Sequence, residues 1–204
     1  EAQRRGIPLS NDSQIFLDEA PCTVIGITGS AGKTTTTTLL GRMASAAVSD
    51  MSERPVYRKA WVGGNIGSPL IASLDQMDAS DVAIMELSSF QLEIMQSSPQ
   101  VAAILNVTPN HLDRHVTMQA YLHAKSQILA FQSHMDMAVL GRDDANAWSL
   151  REQARGKVLS FGLSELPVGE WGAFLQEDQI FIRQDETQAV LPLSDIQLRG
   201  EHNL

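Results

Sequence analysis

Residues Thr23 to Thr28 form an apolar β-type run that leads directly into Gly29-Ser30-Ala31-Gly32-Lys33-Thr34-Thr35. A glycine-rich turn stands here between a strand and a helical stretch, with a lysine and a hydroxyl residue at its exit. Glycines let the backbone curl until successive N–H groups face one anion. The helix behind such a turn aims its positive end at the same point. In loops of this kind the lysine reaches the β- and γ-phosphates and the following hydroxyl ligates Mg²⁺. Gly29 to Thr35 are therefore expected to cradle a nucleoside triphosphate, with Lys33 on the phosphates and Thr34 on the metal. The spelling is a variant. The common pattern has glycine five positions before Gly32, where this chain has Ile27, and its glycines fall at Gly26 and Gly29 instead.

Three more stretches end in residues able to do chemistry. Val82-Ala83-Ile84-Met85 runs into Glu86. A carboxylate at the end of an apolar strand can hold Mg²⁺ directly or through water; the bland reading is a strand-end acid facing solvent. Ala60-Trp61-Val62 ends at Gly63-Gly64-Asn65-Ile66-Gly67, and Ala102-Ala103-Ile104-Leu105 ends at Asn106-Val107-Thr108, followed by His111, Asp113 and Arg114. The trio His111, Asp113 and His115 has transition-metal spacing, but three polar residues in one turn are common, and zinc is the less favoured reading. Lys125 lies in Met118–Phe131, where Tyr121, Leu122, Ile128 and Leu129 share helical spacing. On residue type alone it reads as a solvated lysine.

Strands alternating with helices predict an α/β fold: a mostly parallel sheet flanked by helices, P-loop NTPase-like. Right-handed crossovers then bring the functional loops to the carboxyl edge of the sheet. The expected strands lie near 23–28, 60–62, 81–87, 101–107, 138–140 and 158–161, with helices over 33–47, 118–131 and 145–154. The tail differs. Trp171–Leu175 and Gln179–Arg183 flank Gln176-Glu177-Asp178 as a β-hairpin, and Ala189–Leu191 and Ile196–Leu198 are further candidate strands. A small antiparallel sheet beside the main one is the expectation. Residues 1–20, with Gly6, Pro8 and Ser10-Asn11-Asp12-Ser13, read as a linker or the tail of a preceding domain.

Bulk properties narrow the function. A net charge of −9 without a Lys/Arg cluster disfavours sequence-independent nucleic-acid binding. The single cysteine, Cys22, excludes an internal disulfide and fits a reducing compartment. No apolar run is long enough for a membrane-spanning helix. Both ends look cut from a longer protein.

The strings Thr28 to Thr35, Gly63 to Gly67, Glu86-Leu87-Ser88-Ser89-Phe90-Gln91-Leu92-Glu93 and Asn106 to Arg114 together resemble the Mur ligases. The second and third favour the branch that adds D-glutamate to UDP-N-acetylmuramoyl-L-alanine. The resemblance implies that residues 21–204 are the central, ATP-binding domain of a three-domain cytoplasmic bacterial enzyme. The other two domains then lie outside this chain, and a monomer is expected. It implies phosphoryl transfer from ATP to the substrate carboxylate, then acyl transfer to D-glutamate in peptidoglycan precursor synthesis. It assigns Mg²⁺ to Glu86 and a second Mg²⁺ to His111, places Asn65 and more weakly Ser88 on the muramoyl substrate, and gives Asn203 an adenine contact. Lys125 matches the lysine that the family carbamylates with CO₂. Pro109-Asn110 stands where acidic residues are frequent, and His115 where an aromatic is frequent. The competing expectations are a folylpolyglutamate synthase-like amide ligase, or a nucleotide-binding module that turns nothing over alone.

Overall fold

The structure, a computed structural model, describes residue 5 and residues 9–49, 56–109, 115 and 117–196. Nine strands form one sheet: β1 (Thr23–Thr28), β2 (Ala60–Gly64), β3 (Val82–Glu86), β4 (Val101–Ile104), β5 (Met137–Gly141), β6 (Lys157–Gly162), β7 (Trp171–Gln176), β8 (Gln179–Arg183) and β9 (Thr187–Pro192). Their spatial order is β2-β3-β1-β4-β5-β6-β7-β8-β9. Pairing is parallel from β2 through β7 and antiparallel from β7 through β9. The helices are α1 (Asp12–Glu19), α2 (Lys33–Ser49), α3 (Ser89–Leu92), α4 (Met118–Ala130) and α5 (Ala145–Ser149).

The parallel centre of the sheet is covered on both faces, and its strands record this residue by residue. Ala83 and Met85 pack into one core with Phe16, Leu87, Ile104, Tyr121, Ile128 and Leu140. Ile84, between them, packs on the opposite face with Ile27, Ala103, Ile25, Leu40 and Ala44. All five residues of β3 are buried. A strand read as continuously apolar is therefore a two-sided strand whose alternation distributes side chains between two cores.

From β1 the chain crosses through α2 to β2 at one edge and returns to β3. It then jumps over β1 to β4 and proceeds toward the other edge. The direction of winding reverses at β1. Open α/β sheets bind ligands outside the carboxyl ends of the strands at such a reversal.

Two expectations change in form. The antiparallel strands are present, but they extend the main sheet through β7, which pairs parallel with β6, instead of making a separate one. Their hairpin turns at Glu177 and Asp178, both with positive φ, as a two-residue loop requires. Part of the stretch read as linker is the helix α1. Its polar cluster is a cap: the Asn11 side chain accepts from Gln14 N–H at 2.7 Å, and Phe16 is buried in the core. Ile196 follows a 3₁₀ turn, Leu193–Asp195; the rest of the strand expected at 196–198 lies outside the described residues.

At the amino end of β3, away from the loops of interest, Asp81 is a buried charge with a full set of partners. Arg58 donates to it twice, at 2.7 and 2.6 Å, Trp61 Nε1 at 2.8 Å and Asp78 N–H at 3.1 Å. Burial pushes the Asp81 carboxyl up, but the Arg58, Trp61 and Asp78 donors outweigh it and hold the group below the usual carboxylate range. A lowered pKa adds stability above the unfolded value and loses it as pH falls through the folded one. Asp81→Asn is expected to lower the unfolding free energy by about 3 kcal/mol at pH 7, with the difference from the parent shrinking below about pH 4. Urea melts at both pH values check this; equal stability at pH 7 would contradict it.

Candidate functional site

β1 ends at Thr28 and α2 begins at Lys33, so the whole phosphate-type loop is four residues long. Gly32 has φ +82°, a conformation that favours glycine, and it turns the chain into the helix. Thr36 N–H donates to Gly32 O at 2.9 Å. The N–H groups of Lys33, Thr34 and Thr35 precede that first helical bond and have no acceptor within the helix. They mark the positive end of a 17-residue helix, where an anion is stabilised. Lys33 Nζ folds back over the loop and donates to Gly29 O at 2.9 Å.

Glu86 ends β3 at 2% exposure, in register with Ile27 of β1 and Gly64 of β2. Thr34 Oγ1 donates to its Oε2 at 2.8 Å, and Asn65 Nδ2 donates to its Oε1 at 2.8 Å. Asn65 N–H also donates to the Glu86 carbonyl at 2.9 Å. This approach depends on Gly64. Its φ is +102°, and a Cβ there would overlap the Glu86 carbonyl oxygen. The double glycine thus lets the end of β2 press against β3 and deliver Asn65 to the carboxylate. The Thr34 and Glu86 oxygens are hard donors. Neighbouring ligands of an octahedral Mg²⁺ at about 2.1 Å lie roughly 3 Å apart, close to the spacing seen here. The pair therefore fits a small divalent cation.

Lys125 is 1% exposed. Its Nζ donates to Gly29 O at 2.9 Å, approaches Thr28 Oγ1 at 3.4 Å and lies 4.7 Å from the Tyr121 ring. Gly29 O thus accepts from two lysines, Lys33 and Lys125. Burial, and then the positive charge of Lys33, bring the Lys125 pKa down to about 7. A large fraction is then neutral amine near neutral pH and able to act as a nucleophile. The solvated-lysine reading fails because Lys125 lies on the buried stripe of α4, with Tyr121, Ala124, Ile128 and Leu129.

The remaining expected residues are placed as follows. Ser30 and Ala31 belong to the loop, and their N–H groups donate to Asn106 Oδ1 at 3.0 and 2.9 Å. Ser88 caps α3 in a capping box with Gln91. His115 is buried, stacks on Phe90 and lies 2.9 Å from Ser89 Oγ. It fills the frequent aromatic position as a ring. His111, Asp113 and Asn203 lie outside the described residues. Among the described residues no group of three His, Cys, Asp or Glu side chains is placed to hold a metal. In the sequence Asn106 stands at a strand end and opens the Asn106–Arg114 string; nothing in its residue type announces its hydrogen bonds to the loop.

Lys33, Thr34, Glu86, Asn65 and Lys125 therefore converge on one rim of the sheet, where β1 reverses the winding. Comparisons with known proteins give the family. Residues 27–204 match the Mur ligase middle domain. The chain is 42% identical over 203 residues to the UDP-N-acetylmuramoylalanine–D-glutamate ligase of Symbiobacterium thermophilum, covering 99% of this chain and 43% of the relative. It is 39% identical over 204 residues to the same-named ligase of Clostridium kluyveri, covering 100% and 42%. A solved UDP-N-acetylmuramoyl-L-alanyl-D-glutamate–2,6-diaminopimelate ligase superposes with a TM-score of 0.65 at 20% identity, covering 99% of this chain and 42% of that one. That last likeness speaks to fold alone. The chain spans less than half the length of these relatives, and within that span it belongs to the Mur ligase family, as its middle domain.

Proposed function

We propose that this chain is the ATP- and Mg²⁺-binding part of a ligase that joins D-glutamate to UDP-N-acetylmuramoyl-L-alanine. The observation that carries the reading is the contact of Thr34 with Glu86 directly beneath the Lys33 loop. It puts a hydroxyl, a carboxylate and an ammonium group at the open end of α2. The identity to two D-glutamate ligases supports this substrate over that of a folylpolyglutamate synthase.

In this reading the substrate carboxylate attacks the γ-phosphorus of ATP. A P–O bond to ADP breaks as the acyl phosphate forms. The neutral amine of D-glutamate then attacks the acyl carbon, the C–O bond to phosphate breaks, the nitrogen gives up one proton to the departing phosphate or solvent, and an amide results. Negative charge spreads over the transferring group's oxygens, and the N–H groups from Lys33 onward, with Lys33 Nζ, are the stabilising donors. Lys33 leaves Gly29 O to make that contact. Thr34 and Glu86 would hold Mg²⁺, which would supply positive charge to offset that of the phosphates. Asn65 fixes the Glu86 carboxylate from the other side and extends toward the muramoyl substrate, with Ser88 as a second contact.

Lys125 carries the family's carbamate in this reading. The neutral amine attacks CO₂, an N–C bond forms, one N–H proton leaves, and the anion so produced would hold a second Mg²⁺ together with His111. The adenine contact falls to Asn203. The groups that orient D-glutamate lie in the remainder of the longer protein, so this chain alone binds nucleotide without turning it over. The full protein acts as a monomer in the bacterial cytoplasm.

Two tests follow. In the full-length protein with ATP, Mg²⁺ and UDP-N-acetylmuramoyl-L-alanine, phosphate release is expected only when D-glutamate is the amino acid offered, and Lys33→Ala is expected to lower it by about 10³-fold. Unchanged turnover in the variant would remove this loop from the mechanism. With ¹³C-bicarbonate, a carbamate carbon resonance is expected to grow as pH rises through about 7, where the Lys125 amine loses its proton. Lys125→Ala should abolish the resonance and the activity, and a short carboxylic acid should partly restore the activity. An active variant insensitive to CO₂ would refute the carbamate.

A further inference from the structure

The ladder between β1 and β4 continues past its last paired residues: Leu105 N–H donates to Thr28 O at 2.9 Å. That brings the next residue, Asn106, level with the loop. Its backbone carbonyl accepts from Ser30 N–H at 3.0 Å. Its side-chain Oδ1 accepts from the N–H groups of both Ser30 and Ala31. Its Nδ2 donates to Ala31 O at 3.2 Å. One planar amide thus serves donors and an acceptor of two consecutive loop residues. Only a side chain with both an acceptor and a donor at this length satisfies all of them.

A second latch closes beside it. Ser30 Oγ donates to Thr108 O at 2.9 Å and accepts from Thr108 N–H at 3.0 Å, while the hydroxyl of buried Tyr121 lies 3.2 Å away. Ser30 has one hydroxyl proton. With that proton on Thr108 O, the Tyr121 hydroxyl is left to donate to Ser30. The first half of the loop is therefore fastened to the end of β4 and to α4 by side chains. Its second half, at the start of α2, stays open.

Resting on the nucleotide reading above, we infer that Asn106 is a positioning residue for ATP: its side-chain amide takes the Ser30 and Ala31 N–H groups and thereby fixes the direction of the donors from Lys33 onward. An unfastened loop must be ordered by the nucleotide itself, which weakens binding. A misplacement of about 1 Å in such a site costs on the order of 100-fold.

The test uses the full-length protein and the variants Asn106→Ala and Asn106→Asp. Hydrogen exchange at the Ser30 and Ala31 amides is read without nucleotide, and the KM for ATP, the KM for the carboxylate substrate and kcat are read in turnover. In Asn106→Ala the Ala31 amide, whose acceptor is the lost side chain, should exchange at least ~10-fold faster, while Ser30, which keeps the backbone carbonyl of residue 106, and β1 and β4 keep more of their protection. The KM for ATP should rise about 100-fold with the other KM unchanged. Asn106→Asp keeps an acceptor for both N–H groups, so it should restore protection while its charge keeps ATP binding weak. Unchanged exchange and an unchanged KM for ATP in Asn106→Ala would overturn the inference. So would a fall in kcat at constant KM, the signature of a merely reduced folded fraction. A parent protein that fails to use ATP at all would sink the ligase reading, and the exchange measurement would still decide whether Asn106 fastens the loop.

Discussion

A carboxylate at 2% exposure has to be answered by its surroundings, and much of this rim is arranged around that of Glu86. An ionised group removed from water is tolerable only with hydrogen-bond donors or a cation at its oxygens. Thr34 supplies one donor from the helix after β1 and Asn65 the other from the turn after β2. Each arrives through a glycine in left-handed conformation, Gly32 and Gly64. Three strand ends are thereby tied together at one oxygen pair. The sheet order that makes β1, β2 and β3 neighbours is what permits the tie.

The cations of the site are handled differently. Lys33 and Lys125 both donate to Gly29 O, and two ammonium groups this close repel. The repulsion, added to burial, falls on Lys125 and lowers its pKa to about 7. Lys33 is only half-buried. Two lysines thus meet at one carbonyl, and the buried one, Lys125, is prepared as a neutral amine. The difference between them follows from position in the fold, since the residue type is the same.

Most of the fold is legible in the chain. The apolar runs at β1 and β3 and the helical spacing of α4 predict elements at nearly their observed bounds, because two-sided burial and amphipathic packing leave direct marks on residue type; β4 is expected to Val107 but ends at Ile104. The glycine turn into α2 and the acid at the end of β3 are legible on other grounds: few arrangements place glycine, lysine and threonine after one strand and an acid after another. Legibility fails where a residue's partner is distant in sequence. Asn106 meets Ser30 and Ala31 about 75 positions away, and an asparagine at a strand end looks the same with or without that contact. Lys125 is a mixed case. On residue type alone it reads as a solvated lysine and only the resemblance to the Mur ligases singles it out, while its burial beside Tyr121 and Ile128 comes from the fold. The Ser10–Ser13 cluster misleads in the opposite sense, because residues that open loops also cap helices, and the burial of Phe16 decides between them.

Thr34 and Glu86 are spaced to fit one divalent cation, and in the proposed reading it arrives with the nucleotide. Mn²⁺ can stand in for Mg²⁺ and be followed by electron paramagnetic resonance as it leaves solution. Titrating Mn²⁺ with ATP into the full-length protein should show uptake of the ion, and Glu86→Gln should weaken that uptake about 10- to 100-fold with the fold intact. Equal uptake by the parent and the Glu86→Gln protein would contradict the account.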